Sequence, residues 1–456
     1  MPCLMASIGA MGPVWQERLD AVESATTLTG LVLAALVLSR ALAVCIVEEV
    51  LRTRSSAETA WPPCPHCGRR LRSKGRVDRQ VATSIGLVRW KRRVGRCPGG
   101  CAVGQVAPLD DALGLSAGQR TSSELVSLAC LLAVYVPFAT ACAILYRAIG
   151  VHAPASAIWD WVRKAGERAQ RQFETELAAL KAGGAVEAEV IAEKIRQLTL
   201  IVGGDGVMVP FRPTAGSPKG PAVWREVKVA VLARLGQRTD RHGRLVTRLV
   251  HRRLVAVLGD IDALADRLRL EALRQRAWDA PRLVWVSDGA RGLWRLFDEV
   301  FASHAVGILD FYHAAGQLWE AAEVTFGFRP SAQTWFHAAR HNLRHGQVDA
   351  IVACLQVEAK AFWRANDRRK VLRRVADYLD RHRAHLRFPD FKDMDLPLGS
   401  GFVESAVKWL VQQRFKGVGM RWSEQGFSNL LLLRLAWAND RFDQLFQPYS
   451  TPSPNF

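Results

Sequence analysis

The sequence predicts an α/β domain interrupted in sequence by an all-α insertion and preceded by a small cysteine-bearing module and a helical segment. Three observations carry this reading. Short strand-like runs at 198–202, 226–234, 245–258, 282–287 and 305–309 alternate, from the third onward, with helix-period stretches. From 314 to about 386 no strand pattern appears and arginine is dense. Four of the nine cysteines stand in two close pairs, Cys64/Cys67 and Cys97/Cys101.

The bulk numbers bound the answer. A chain of 456 residues with 49% hydrophobic content can bury a core and is not a disordered tail. Lys+Arg 62 against Asp+Glu 43 gives a formal charge of +19. Such a surplus favours a polyanionic partner, because each Lys or Arg that neutralises a phosphate releases counterions. Charge names the sign of the partner and not the chemistry. The paired cysteines read as metal ligands in a reducing cytosol rather than as a disulfide scaffold. Residues 1–13 lack the basic start and apolar run of a secretory signal. Two segments approach the length of a membrane span, 31–47 and 125–145. The first carries Ser39 and Arg40 in its middle, and the second reads as two buried helices meeting at Pro137, so no membrane is expected.

In order, the chain opens with one or two amphipathic helices up to about 55, and Trp61-Pro62-Pro63 breaks it before Cys64. Helices are expected at 115–132, 138–149 and 156–180, with Gly150 and Pro154 punctuating the last junction. That pattern is compatible with a helix-turn-helix module and with a plain bundle. A further helix is expected at 186–197. Three strands, then helices at 261–278 and 293–301 alternating with two buried strands, is the order of an RNase H-like α/β domain. Helices at 400–415 and 423–442 close it. The expected division is 1–60 N-terminal helices, 61–108 zinc-ribbon-like module, 109–197 helical DNA-binding segment and 198–313 first part of the catalytic core. Next come 314–398 helical insertion, 399–445 closing helices and 446–456 tail, with Pro and Ser enriched from Pro448.

Three carboxylates fit a divalent-metal site. Asp205 follows Leu200-Ile201-Val202 between Gly204 and Gly206, and Asp288 ends Leu283–Ser287 with Gly289 after it. Carboxylates at strand ends are held rigidly, and the glycines admit a phosphate backbone; alone, each Asp-Gly is also an ordinary turn signal. Glu404 lies one turn into the helix that Ser400 caps, at the border of a stripe of Val403, Val407, Leu410 and Val411. Taken alone, it is also an ordinary first-turn glutamate favoured by the helix dipole. Oxygen ligands suit Mg²⁺ or Mn²⁺. Asp310 and His313 open the next helix, where His313 reads either as a structural histidine or as a contact to phosphate near the metals.

Cys64, Cys67, Cys97 and Cys101, in C-x2-C and C-x3-C pairs with Gly and Pro between or after them, suit a structural, tetrahedral Zn²⁺. Cys3, Cys45, Cys130, Cys142 and Cys354 stand alone and read as core or inert. Basic residues crowd between the pairs, Arg92 and Arg93 among them, with one acid, Asp78. A second run holds Arg369 and Lys370. Arg421 also counts as a candidate DNA contact, and Trp224 and Trp422 are candidates to stack on unpaired bases, although core packing is the commoner fate of a Trp.

Six ordered blocks then resemble a known family: Gly204-Asp205-Gly206, Trp224–Val229, Ser287–Ala290, Leu309–His313, Gly399–Ser405 and Gly419–Ser423. Together they resemble bacterial insertion-sequence transposases of the ISKra type, relatives of the Mutator-like DDE transposases. The likeness is strong over about 205–437 and loose before it. It implies that Asp205, Asp288 and Glu404 match the DDE catalytic triad and that Asp310 with His313 matches the C/D-x-x-H signature. It also implies a bacterial, cytoplasmic, nucleoid-associated enzyme that cuts and joins double-stranded DNA, at transposon ends and target, as a homodimer in a synaptic complex. Two rivals remain: an RNase H-fold nuclease or resolvase that cuts without joining, and a non-catalytic zinc-ribbon DNA-binding protein derived from a transposase.

Overall fold

The computed structural model describes residues 12–102, 104–213, 220–327, 330–362 and 365–446. Cys3 and the tail from 447 lie outside them. The chain divides into two units, the described part of 1–165 with 443–446, and 166–442.

In the first unit α1 (Gly12–Glu23) leads to α2 (Leu28–Ser56), whose start is capped by the Thr27 hydroxyl accepting from the Gly30 amide at 3.1 Å. A two-stranded antiparallel hairpin follows, β1 (Arg72–Thr83) and β2 (Gly86–Arg96). Its period-2 alternation buries Val81, Val88 and Trp90 in one cluster with Leu51 of α2. The helix is tied to the strand edge as well: Glu48 accepts from the Arg89 amide at 2.7 Å, and the Ser55 hydroxyl donates to the Lys91 carbonyl. Next come α3 (Pro108–Ala112), α4 (Ser123–Tyr135), α5 (Phe138–Ile149) and α6 (Ala155–Lys181), the last continuing into the second unit. The helix expected from 115 starts only at Ser123. The carbonyl of Arg120 and the amide of Ser122 are hydrogen-bonded to Ala82 of β1, so this backbone is not free to enter a helix. Pro137 separates α4 from α5, and Gly150, at φ 68°, ends α5. Among the described residues α2 is the helix long and apolar enough to cross a membrane. Of the isolated cysteines Cys45 and Cys130 are buried, while Cys354 is exposed rather than core.

The second unit is mixed α/β. Of the helix expected at 186–197 only α7 (Glu193–Arg196) forms. Upstream of it the Glu189 amide donates to the Arg274 carbonyl and its carboxylate is held by Arg253, Gln275 and Arg441, which draws the backbone out of a helix. A five-stranded sheet has the order β5-β4-β3-β6-β7. Strands β3 (Leu200–Phe211), β4 (Val223–Thr239) and β5 (Leu245–Leu258) are antiparallel neighbours, and β6 (Leu283–Ser287) and β7 (Ala305–Leu309) run parallel to β3. Strands β3 and β4 are longer than expected, because Gly204 and Gly206, which read as turn signals, pair with Ala230 and Lys228. Helices α8 (Ile261–Arg274) and α9 (Arg291–Val300) join the later strands.

A helical block then runs through α10 (Phe311–Phe326), α11 (Pro330–Arg344), α12 (Val348–Ala361), α13 (Asn366–Arg381) and α14 (Phe388–Asp393). The chain returns as α15 (Gly401–Val407), which passes through a π turn (Lys408–Gln412) into Gln413–Phe415, and ends in α16 (Glu424–Ala438). The core lies where sheet, α8, α9 and the helical block meet. Trp285 of β6 is fully buried there, 5.5 Å from the ring of Phe301 and 6.0 Å from that of Phe297.

Candidate functional site

Register brings the sheet carboxylates together. Strands β3 and β6 pair in parallel up to Gly204 opposite Ser287, and the next residue on each is an aspartate, Asp205 and Asp288. Asp205 is not at a strand end, as its flanking glycines suggested; it is in mid-strand, paired with Val229, at the level where β6 stops. Helix α15 reaches the same level because Gly203 has no side chain. A Cβ there would lie 2.6–2.8 Å from the Val286 carbonyl, Val403 and Phe402. Val403, Val407, Leu410 and Val411 are buried as expected, which leaves Glu404 on the exposed border of that stripe.

The electrostatics show that these groups feel one another. Burial first, then the charges of Asp288 and Glu404, push the Asp205 carboxyl above the usual range, against the Gly206 amide at 2.6 Å and against His313. His313 is raised, first by its hydrogen bond to Asp310, then by the charges of Asp310, Asp288 and Glu404, with burial opposing. Asp310 differs in kind. It is 1% exposed, and its two oxygens accept from the Tyr312 and His313 amides at 2.6 and 3.0 Å and from the Ser400 amide and hydroxyl at 2.5 and 2.6 Å. Burial would raise its pKa, yet the bonds from His313 and Ser400 hold it well below the usual carboxylate range. Its oxygens are spent on protein donors, so Asp310 clamps the start of α15 to the start of α10 while Asp205, Asp288, Glu404 and His313 share a field.

Sequence reasoning passed over three supporting side chains. Tyr378 of α13 lies against Gly289, where a Cβ would sit 2.0 Å from its ring, and its hydroxyl is raised by burial and then by Asp288 and Asp310. Trp294 donates its indole N–H to the Asp288 carbonyl at 2.6 Å. Arg434 of α16, 2% exposed, donates to the Leu410 carbonyl at 2.8 Å and to the Trp409 carbonyl, both within the π turn after α15. All three act through the fold, and nothing local in the sequence marks them.

The thiols of Cys64, Cys67, Cys97 and Cys101 all lie within 4.8 Å of one another, and among the described residues they form the one such group of His, Cys, Asp and Glu ligand atoms; the carboxylates are set wider. Two similar turns build the cluster. The Gly68 amide donates to the Cys64 carbonyl at 2.8 Å and the Gly100 amide to that of Cys97 at 3.3 Å, each glycine at positive φ, 70° and 73°. Cys64, Cys97 and Leu71 are buried with Trp61, Cys101 and Val106 packed against them. Burial raises the Cys97 thiol, but the Gly99 amide and the neighbouring thiols bring it down to about 6, whereas hydrogen bonds with Cys67 and Cys97 push Cys101 up to about 12. Four such sulfurs are compatible with a structural zinc, whose tetrahedral bonds of about 2.3 Å set sulfurs roughly 3.8 Å apart; Cys67 and Cys97 stand at 3.4 Å.

The expected DNA contacts divide. On the hairpin, residues opposite each other share a face, so Arg93 with Arg76 and Lys91 with Asp78 lie on one side and Arg92 with Val77 on the other. Arg92 is committed to Asp110 at 2.7 Å, with Arg79 at 3.6 Å from the same oxygen. Trp422 is wedged, its N–H donating to the Phe415 carbonyl at 3.0 Å and Arg414 over its ring at 5.3 Å. Both side chains are engaged within the protein. Trp224 is 53% exposed, with the Lys416 ammonium 5.6 Å from its ring. Lys370 is exposed, Arg369 is half-buried, and Arg421 is exposed but donates to the Gly220 carbonyl.

No family model and no curated protein matches the chain. One solved structure, a Drosophila P element transposase strand transfer complex, aligns over 75% of this chain and 85% of that chain, at 11% identity and a TM-score of 0.25. That similarity is too weak to show a shared fold.

Proposed function

We propose that the chain is a DNA transposase whose α/β unit is RNase H-like and whose Asp205, Asp288 and Glu404 hold Mg²⁺ or Mn²⁺. The observation that carries this reading is the convergence of three carboxylates from β3, β6 and α15, with Asp205 raised by the charges of the other two. A sheet of three antiparallel strands followed by two parallel ones, with a helical block between β7 and the helix bearing Glu404, supports the fold reading. The donor set fits a hard divalent cation: all oxygen, mutually repelling, and open to solvent at Glu404. When bound, such ions supply activation of a water or a DNA 3′-hydroxyl and neutralisation at the leaving oxygen.

The chain's own residues supply the rest. Asp205 and Asp288 are fixed by the sheet, and Glu404 by the packing of α15 on Gly203. His313, half-exposed and held by Asp310, presents a proton donor to a phosphate at that site. The surplus of positive charge, including Arg89, Lys91 and Arg93 on the hairpin, tracks the DNA backbone, and the thiol cluster with zinc fixes that hairpin. The ISKra type and a dimer joining two ends belong to the same proposal.

The test is a strand-transfer assay with Mg²⁺ or Mn²⁺ on DNA carrying the sequences that flank the gene, for the parent and Glu404→Gln. The expected result is joined product from the parent and none from the variant. Cutting without joining would favour the nuclease. Tight binding with neither reaction would favour the non-catalytic DNA-binding protein.

A further inference from the structure

Tyr312 is a large aromatic side chain left in the open beside Asp310 and His313, and the chain holds it there. It is 67% exposed. Its amide donates to Asp310 Oδ1 at 2.6 Å, within the turn that opens α10. Its ring meets that of Phe311 edge to face, with centroids 5.6 Å apart and planes at 81°. Phe311 is itself buried and set at 89° against Phe388, 5.1 Å away. The Tyr312 ring also lies against the bare backbone of Gly399, where a Cβ would come within 2.9 Å of two ring carbons and 3.6 Å of Asp310 Oδ2. The ring therefore stands where α10, which carries His313, and α15, which carries Glu404, begin. A loose surface tyrosine loses rotamer freedom when something stacks on it; a ring already braced by Phe311 and Gly399 has little left to lose.

We infer, resting on the transposase reading, that Tyr312 stacks on the nucleobase next to the phosphate held at the carboxylates, so that the DNA strand is unpaired where it is cut. A base is joined to its phosphate through one sugar, so a flat ring beside a phosphate site meets the base of that nucleotide or the next. In a duplex both faces of each base are covered by its neighbours, and a side chain can stack on it only after it leaves the duplex. Stacking on an aromatic ring then offsets part of the cost of unpairing, with little regard to which base is present. Trp422, a candidate for such stacking by sequence, is turned inward to the Phe415 carbonyl. Tyr312 escaped notice because it reads as one more residue of the turn from Asp310 to His313.

The test compares cleavage and joining of a fully paired end with the same end carrying mismatches at the cut, for the parent, Tyr312→Phe and Tyr312→Ala. Tyr312→Phe keeps the ring and should match the parent on both. Tyr312→Ala should lose about 10- to 100-fold on the paired end, the scale of one base–aromatic stack. It should recover most of that loss on the mismatched end, where the strand is already unpaired. Should Tyr312→Ala prove unstable in urea, Tyr312→Leu, which fills the space without a π face, takes its place with the same expectations. Parent-like activity of Tyr312→Ala on the paired end, or an equal loss on both ends, would overturn the inference. So would a Tyr312→Phe chain as impaired as Tyr312→Ala, which would assign the role to the hydroxyl. A parent that cuts and joins neither end would fail the transposase reading itself, and the stacking role with it.

Discussion

The thiol cluster and the carboxylate cluster are gathered by opposite means. The four thiols come from two short turns at the ends of one hairpin, and each turn aims its own pair through a glycine at positive φ. The three carboxylates come from β3, β6 and α15, separated by the length of several elements, and stand at one level only because of the sheet register and the packing of α15 on Gly203. The chemistry follows the same divide. The soft donors lie within 4.8 Å of one another, and four of them would leave a tetrahedral metal no open position. Hard donors set wider, with Glu404 exposed, leave room for water and phosphate. On the proposed reading, one cluster would only hold a metal, whereas the other would also react.

The largest effect is expected at the thiols. Cys64→Ser, or chelation, should remove the metal and collapse the hairpin, since structural zinc in small peptides binds with about 10–16 kcal/mol at pH 7 and that is folding free energy. Hydrogen exchange should show protection lost across 64–101 and kept in β3 and β6. A Cys64→Ser chain that keeps its metal and its protection would end the zinc reading.

A smaller effect is expected at the clamp. Asp310→Asn leaves the three carboxylates in place but loosens Ser400 and His313, so activity should fall about 10–100-fold, the scale of lost supporting bonds around a metal site. The pH dependence sharpens this. Asp310 is depressed, so its stabilisation is present above the ordinary aspartate value of 3.8 and is lost as pH falls through the lower folded value. His313 is raised, so its share is fully present below 6.5 and is lost as pH rises through the higher folded value. The parent should therefore exceed the variant in stability most between these limits. Urea titrations giving a constant difference from pH 4 to 9 would show that the pair does not work this way.

Smaller again, Arg434→Met should cost about 2 kcal/mol in urea unfolding, because the Trp409 and Leu410 carbonyls of the π turn lose a buried donor. A change below about 0.5 kcal/mol, the scale of an ordinary surface substitution, would mean the π turn holds without it.

How much of this the sequence disclosed follows the same contrast. The cysteine pairs are local, and their spacing with Gly68 and Gly100 announced the turns. Strands β5 and β7, and helix α5, match their sequence reading residue for residue. Strand β3 was read short because Gly203, Gly204 and Gly206 look like a turn; in the sheet they are close-packing positions for α15, Leu293 and Glu226. The helix expected at 186–197 failed because Glu189 is claimed by arginines far along the chain. Each carboxylate was visible as a candidate, but the bonds that tie Asp310 to Ser400, ninety positions away, were not, and neither was the pairing of Arg92 with Asp110. Local spacing reports what a residue can do, and only long-range packing reports what it is left free to do.

The most direct measurement is iron-mediated cleavage of the polypeptide. Fe²⁺ replaces Mg²⁺ at oxygen-ligand sites, and with peroxide and ascorbate it cuts the backbone beside its ligands. With zinc retained on the thiols, the account predicts cuts near Asp205, Asp288 and Glu404 together, suppressed by excess Mg²⁺ and absent in Asp205→Ala. Cuts at none of these places, or at one that persists in the variant, would contradict a metal site shared by the three carboxylates.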